Sequence, residues 1–173
     1  MYRQIATLLQ KAVPPAPLFR HGFNLSPMYR SSGGRITYVS DDLHRVDVEL
    51  PLTWRNRNYV GTMFGGSMLS ATDPIYMVQL LNILGDGFVV WDKSVSLAFR
   101  RPAKSTLHAR FEYLPDEVEH LRRMAHAQGS LDWEKPVELR DADETVIASG
   151  TKTIYVATKE HHRRRAARSR ASG

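Results

Sequence analysis

The stretch GGSMLSATDPIYMVQLLNIL, residues 65–84, constrains this chain more than any other. It has the length and composition of a helix and is apolar around nearly its whole circumference. A helix of that kind belongs inside something, not on a surface. One carboxylate, Asp73, interrupts it, with Pro74 directly behind. An unpaired buried carboxylate costs several kcal/mol, so Asp73 needs a capping task, a partner or a chemical role. Two readings are open. Asp73 as N-cap with Pro74 at N1 would start a helix running to Leu84. Alternatively, one helix starts at Gly65 and passes through Pro74, which kinks it and frees the Ser70 carbonyl beside the carboxylate. Residues 67–72 carry no turn chemistry, and Met68, Leu69 and Ala71 suit a helix.

Around that segment the chain reads as one domain. Its 173 residues, 42% hydrophobic, are enough for a real core without metal or disulfide staples. There is no cysteine, which excludes disulfides, thiolate nucleophiles and cysteine zinc sites and suits a reducing, cytoplasmic setting. No run of about 18 uncharged apolar residues appears, so no membrane span is expected. The opening residues are too polar for a secretory signal; Tyr2, Ile5, Leu8, Leu9 and Ala12 instead recur at helical spacing before Pro14-Pro15. The net charge of +6 is mostly a terminal property: from Lys159 onward six Lys/Arg face one Glu, leaving the first 158 residues nearly neutral. That tail could contact nucleic acid or an anionic membrane, but it has no aromatic interleaving, so it reads as disordered and solvated and not as a nucleic-acid partner.

Residues 13–34, rich in Pro, Gly and Ser, read as an irregular lead-in with at most a short helical turn. Ile36 and Tyr38, then Ser40-Asp41-Asp42, then Val46, Val48 and Leu50 form a hairpin pattern. Gly85-Asp86-Gly87 ends the long helix. Val95, Leu97 and Phe99 alternate, Arg-Arg-Pro-Ala-Lys turns the chain, and Leu107, Ala109, Phe111 and Tyr113 alternate again. Residues 115–128 have the charge density of a solvent-facing helix, with Pro115 at N1 and Gly129 at C′. A last hairpin flanks residues 141–144. The expected organisation is a lead-in over 1–34, a single α+β domain over 35–158 in which a curved antiparallel sheet wraps one helix, and a basic tail over 159–173.

The pattern N-x-x-G-T-x-x-G-G at residues 58–66, with Asp73 seven residues after the second glycine, resembles the signature of hotdog-fold acyl-CoA thioesterases, more narrowly the phenylacetyl-CoA type. SVSLAFRRPAKSTLHARFEY resembles the strand–Arg-Pro-Ala–strand pattern that follows the central helix in that family, and VIASGTKTIYV its last strand. The likeness spans roughly residues 35–157. It implies a hotdog fold and a site at a dimer interface, in a homodimer or a dimer of dimers. It also implies hydrolysis of an acyl-CoA thioester with no cofactor beyond the coenzyme A of the substrate, and no metal. By position, Gly65 would donate its backbone N–H to the thioester carbonyl, Asp73 would act as general base or nucleophile, and Asn58 would orient water or the thioester oxygen. Phe64 stands where the family commonly has histidine.

Other residues follow as substrate-binding candidates. Met63, Phe64, Tyr76 and Met77 suggest an apolar acyl pocket, fatty or aromatic, Gly66 is a further substrate-binding position, and Arg100, Arg101 and Lys104 offer cations for coenzyme A phosphates. Each has a plainer reading as well. Gly65-Gly66 could serve tight packing, Asn58 a turn, and the arginines a solvated loop. His108 and His120 stand alone, without metal-ligand spacing. The alternative function is a hotdog protein that binds acyl-CoA or fatty acid without turnover, which Phe64 favours; a dehydratase is a third, disfavoured by the missing histidine.

Overall fold

A computed structural model describes residues 14–171. The amphipathic helix expected near residues 2–12 lies outside the described residues. Two helices, α1 (Pro15–Leu25) and α2 (Pro27–Ser32), occupy the segment expected to be irregular. Both open on proline at their first position, where the missing N–H is one no helix uses. Here proline punctuates helices instead of preventing them. Phe19 and Tyr29 are buried, and Phe23 bridges them by ring contacts at 4.8 and 5.1 Å. The Tyr29 hydroxyl donates to the Ala71 carbonyl at 3.0 Å, fastening the lead-in to the central helix.

The sheet has six antiparallel strands: β1 (Arg35–Val39), β2 (Arg45–Leu50), β3 (Phe88–Phe99), β4 (Leu107–Glu112), β5 (Ser130–Arg140) and β6 (Val146–Thr158). Their order across the sheet is β1-β2-β4-β5-β6-β3. The first hairpin forms as expected, except that the register shifts between Ile36 and Tyr38. A bulge reverses side-chain parity, so Ile36 is buried while Tyr38 is half-exposed under the Arg45 guanidinium. Strands β4 and β5 share one registered pair, His108 with Arg140, so the sheet splays where they diverge. Helix α4 (Pro115–Gln128) packs beside that opening through Val118, Leu121 and Ala125. Between it and the strands lies an ion pair of Glu117 with Lys135, joined by the Trp133 indole N–H.

Helix α3 (Gly65–Leu84) runs unbroken through Pro74, so the reading of Asp73 as the N-cap of a helix starting there is overturned. Met68, Ala71, Ile75, Leu80 and Leu84 press into the core, packed against inner-face residues such as Val48, Leu107, Phe111 and Ile154. The stripe of Leu69, Asp73, Met77 and Leu81 is less covered, although the helix is apolar there too. One apolar stripe of a helix that belongs indoors therefore stays partly open in the single chain.

The basic tail, expected to be disordered, is helical as α5 (Lys159–Ala171). It contains neither Gly nor Pro and is rich in Ala and Arg, strong helix formers. Its first turn is tied down by Lys159 N–H to the Gly87 carbonyl at 3.0 Å, and the His162 ring meets Trp91 at 5.3 Å.

Candidate functional site

Strand parity delivers the key groups to the face beneath α3. On β6, Ala148, Ile154 and Val156 point into the core, and Lys152 shares their parity. On β3, Phe88 and Val90 point inward, and Asp92 shares theirs. Asp92 is registered with Ile154, two residues from Lys152. Asp73 comes from above, out of the middle of α3.

Lys152 is 1% exposed, and its ammonium meets three acceptors. These are Asp73 Oδ1 at 2.5 Å, the Asp73 carbonyl at 2.7 Å and Asp92 Oδ2 at 2.8 Å. Three N–H donors and three acceptors leave it fully used. The Asp73 side chain is 46% exposed, and its Oδ2 has no hydrogen-bond partner among the described residues. Asp92 Oδ1 is buried without a partner. Burial raises the Asp92 carboxyl above its ordinary range; the Lys152 ammonium opposes this, and the Asp73 charge adds to the rise.

The sequence reading proposed Asp73 and missed both of its associates. Neither has a local cue in the chain: Asp92 follows Phe-Val-Val-Trp and Lys152 precedes Ile-Tyr-Val-Ala two residues on, runs apolar at consecutive positions, so which face each charge takes shows only once the strands are paired.

A second group assembles at the start of α3. Gly65 and Gly66 are the first two helical residues, and the helix begins by directing Ser67 N–H and Met68 N–H to the Phe64 carbonyl. A helix start presents free N–H donors and a positive dipole end. Both glycines also permit close approach. A Cβ on Gly65 would come within 2.5 Å of the Phe99 ring, and one on Gly66 would collide with the Phe64 ring. Phe64 and Phe99 are exposed and flank this helix end.

Asn58 shapes the loop leading there. Its Oδ1 accepts from Val60 and Thr62 N–H at 3.1 and 3.0 Å, and its Nδ2 donates to Thr62 Oγ1 at 2.9 Å. The cationic turn is brought to the same end by Met63 N–H bonding the Ala103 carbonyl at 2.9 Å. Arg100, Arg101 and Lys104 are all exposed there, with Arg100 Nε donating to Ser149 Oγ at 3.0 Å.

Tyr76 corrects an expectation. It is 4% exposed, edge-on to Phe111 and Tyr113, with the Lys135 ammonium over its ring, and therefore belongs to the core instead of lining a pocket. Burial pushes its phenol up to about 12. A helix apolar on all sides offers no sequence cue to which stripe meets substrate, and Tyr76 sits three residues off the Asp73 stripe. Met77 lies on that stripe and is partly buried.

Two cavities, about 390 and 420 Å³, open elsewhere, and neither is lined by Asp73 or the glycine pair. One lies between Trp91, Tyr155 and α5, the other near residues 41–44 and Arg122. Among the described residues no cluster of His, Asp and Glu is arranged to hold a metal ion, and no helix is long and apolar enough to cross a membrane.

Residues 16–156 match the profile of a family described as "Domain of unknown function (DUF4442)". The chain belongs to that family. Among solved structures, a Pseudomonas aeruginosa protein of unknown function, described as a probable thioesterase, superposes with a TM-score of 0.73 at 21% identity, over 82% of this chain and 95% of that one. A Haemophilus influenzae thioesterase gives a TM-score of 0.54 at 14% identity, covering 91% of each chain. A mutant of a Staphylococcus aureus thioesterase gives 0.56 at 15% identity, over 76% of this chain and 99% of that one. No curated protein sequence matches. At these identities the likeness carries the fold: this DUF4442 chain is a hotdog, a curved sheet around a central helix, similar to thioesterases. The narrower phenylacetyl-CoA likeness has no counterpart among these relatives.

Proposed function

We propose that this DUF4442 protein hydrolyses an acyl-CoA thioester at a site shared between two copies, with Asp73 as the group that activates water or attacks the carbonyl. The observation that carries the reading is the state of Asp73: midway along the central helix, one oxygen held by a buried ammonium, the other unpartnered on a half-exposed carboxylate. A fixed base with one open oxygen is what general-base hydrolysis requires. The helix start at Gly65 and Gly66 supplies donors for a developing oxyanion, and the nearby Arg100, Arg101 and Lys104 supply cations for coenzyme A phosphates. Asn58 shapes the loop that sets the angle of those donors.

Geometry supports sharing between copies. Asp73 follows Gly65 by eight residues on one helix, roughly 12 Å of rise. A carbonyl carbon cannot sit within reach of both, so Asp73 of one copy would work with Gly65 of its partner. The 12-residue edge strand β3, with Trp91 and Phe99 40% and 56% exposed, and the open stripe of α3 offer the surface for a homodimer. Thioesterases among the structural neighbours are consistent with this chemistry. Exposed Phe64 in place of the usual histidine favours a second reading, an acyl-binding protein without turnover.

Thiol release over a panel of acyl-CoA esters, short, long and phenylacetyl, separates the two readings. Wild type should turn over at least one ester, and Asp73→Asn should lower kcat about 100-fold while the fold persists. Binding without turnover, or turnover indifferent to Asp73, would refute hydrolysis through this residue.

A further inference from the structure

Lys152 is the most completely enclosed charge in the described chain, yet it faces two carboxylates that have different tasks. Asp73 is half-exposed and reaches outward; Asp92 is more buried, with one oxygen on Lys152 and the other partnerless. At 1% exposure Lys152 cannot meet substrate. Its three donors converge on two elements: two contact Asp73, through its side chain and its own carbonyl, and one contacts Asp92 on β3. The double contact to one residue fixes a rotamer as well as a charge. With Oδ1 tethered and the backbone carbonyl on the same nitrogen, Asp73 Oδ2 is the oxygen left to turn outward. Pro74 sits at the same turn and removes one helical N–H there.

We propose that Lys152 is a positioning residue for Asp73, aiming its open oxygen, and that Asp92 is the anchor that holds the ammonium in place from the sheet. The inference rests on the reading of Asp73 as the reacting carboxylate. It makes the site a span between helix and sheet: a base on α3, its tether on β6, the tether's anchor on the edge strand β3. Because β3 is also the edge offered to a second copy, the anchor sits on the strand that would carry the interface. Lys135, the cross-strand neighbour of Lys152, serves as an internal contrast. It too is a nearly buried lysine, but its carboxylate partner Glu117 has both oxygens taken, so the group offers no open base.

The test is steady-state thiol release with separate kcat and KM, alongside thermal unfolding. The variants are Asp92→Asn, Lys152→Arg, Lys152→Met with Asp92→Asn, and each Lys152 change combined with Asp73→Asn. The Lys152→Met/Asp92→Asn pair removes a buried cation and a buried anion together, which folded proteins tolerate far better than loss of one partner. Misplacing a reacting group by about 1 Å costs on the order of 100-fold. The expected result for that pair is therefore a kcat at least about 10-fold below wild type, with Asp92→Asn alone falling between the two and KM changed less than about twofold. In the Asp73→Asn background the same change should have no further effect, because Lys152 acts through Asp73. Lys152→Arg keeps the charge but replaces three converging donors with a planar fork. It should also lower kcat at unchanged KM, and it decides the matter if the double variant does not fold. A kcat within twofold of wild type for the double variant or for Lys152→Arg would overturn the positioning role while leaving Asp73 in place, and a kcat within twofold of wild type for Asp92→Asn alone would overturn the anchor. Turnover that survives Asp73→Asn would instead remove the reading beneath it.

Discussion

Removing Glu117 should destabilise the protein more than most single surface changes. Its carboxylate receives Lys135 Nζ on both oxygens at 2.8 Å, the Trp133 indole N–H at 2.7 Å and the Leu114 N–H at 3.2 Å. The two ionic side chains are 11% and 15% exposed, so solvent screens the pair little. In Glu117→Ala the Lys135 ammonium stays over the Tyr76 and Tyr113 rings with no counter-charge, beside Lys152 across the ladder. Breaking a buried pair from one side costs about 3–5 kcal/mol. For a chain of this size each kcal/mol lowers Tm by roughly 2–4 °C, giving a fall of roughly 6–20 °C. Glu117→Leu with Lys135→Met removes both charges at similar volume and should recover most of the loss. It should fall short by about 1 kcal/mol, for the indole N–H left without its acceptor. Thermal unfolding followed by circular dichroism, with urea titration as a second measure, reads all three proteins. A fall below about 2 °C for the single variant would show that water reaches the pair, and a double variant no better than the single would show that the loss is packing instead of charge.

Gly150 sits where β6 meets β3, and a Cβ there would run into the Ser96 carbonyl oxygen and approach the Leu97 Cα at 2.9 Å. Backbone cannot swing aside as a side chain can, so Gly150→Ala should cost about 1–3 kcal/mol or more by forcing β3 outward; an unchanged Tm would refute that close approach. Asp47 should shape the acid limb of stability. Burial is the largest single influence on its carboxyl and acts upward, but hydrogen bonds from Arg45 and Arg110, with their charges, outweigh it and hold the carboxyl below its ordinary range. A folded pKa below the unfolded value of about 3.9 adds stability above that pH, lost as pH falls through the folded pKa. Asp47→Asn should therefore be less stable than wild type at pH 7 and converge with it below about pH 4, and a stability gap constant from pH 7 to pH 2 would contradict the assignment.

How far the sequence reached can be seen residue by residue. Local rules carried the elements: Pro115 and Gly129 bound α4 as their backbone preferences dictate, Gly85 at φ 76° ends α3, and Asp141 closes the last hairpin by accepting from Asp143 and Thr145 N–H. These depend on neighbours a few residues apart, which a chain displays directly. The apolar length of α3 also determined that other elements must enclose it, and the alternating segments on either side supplied a sheet to do so. Local rules faltered in the lead-in, where prolines that can break a helix begin two, and in the tail, where charge read as disorder sits on strong helix formers.

Tertiary structure alone decided which stripe of α3 stays open, and hence that Tyr76 belongs to the core while Asp73 reaches out. It alone decided that Asp73, Asp92 and Lys152, up to 79 residues apart, meet at one nitrogen. In the formed strands Lys152 and Asp92 turn inward, and the register of β3 on β6 with the height of α3 above them brings them into contact. Charges that share a site are joined by the sheet, and sheet register is set by the whole core at once.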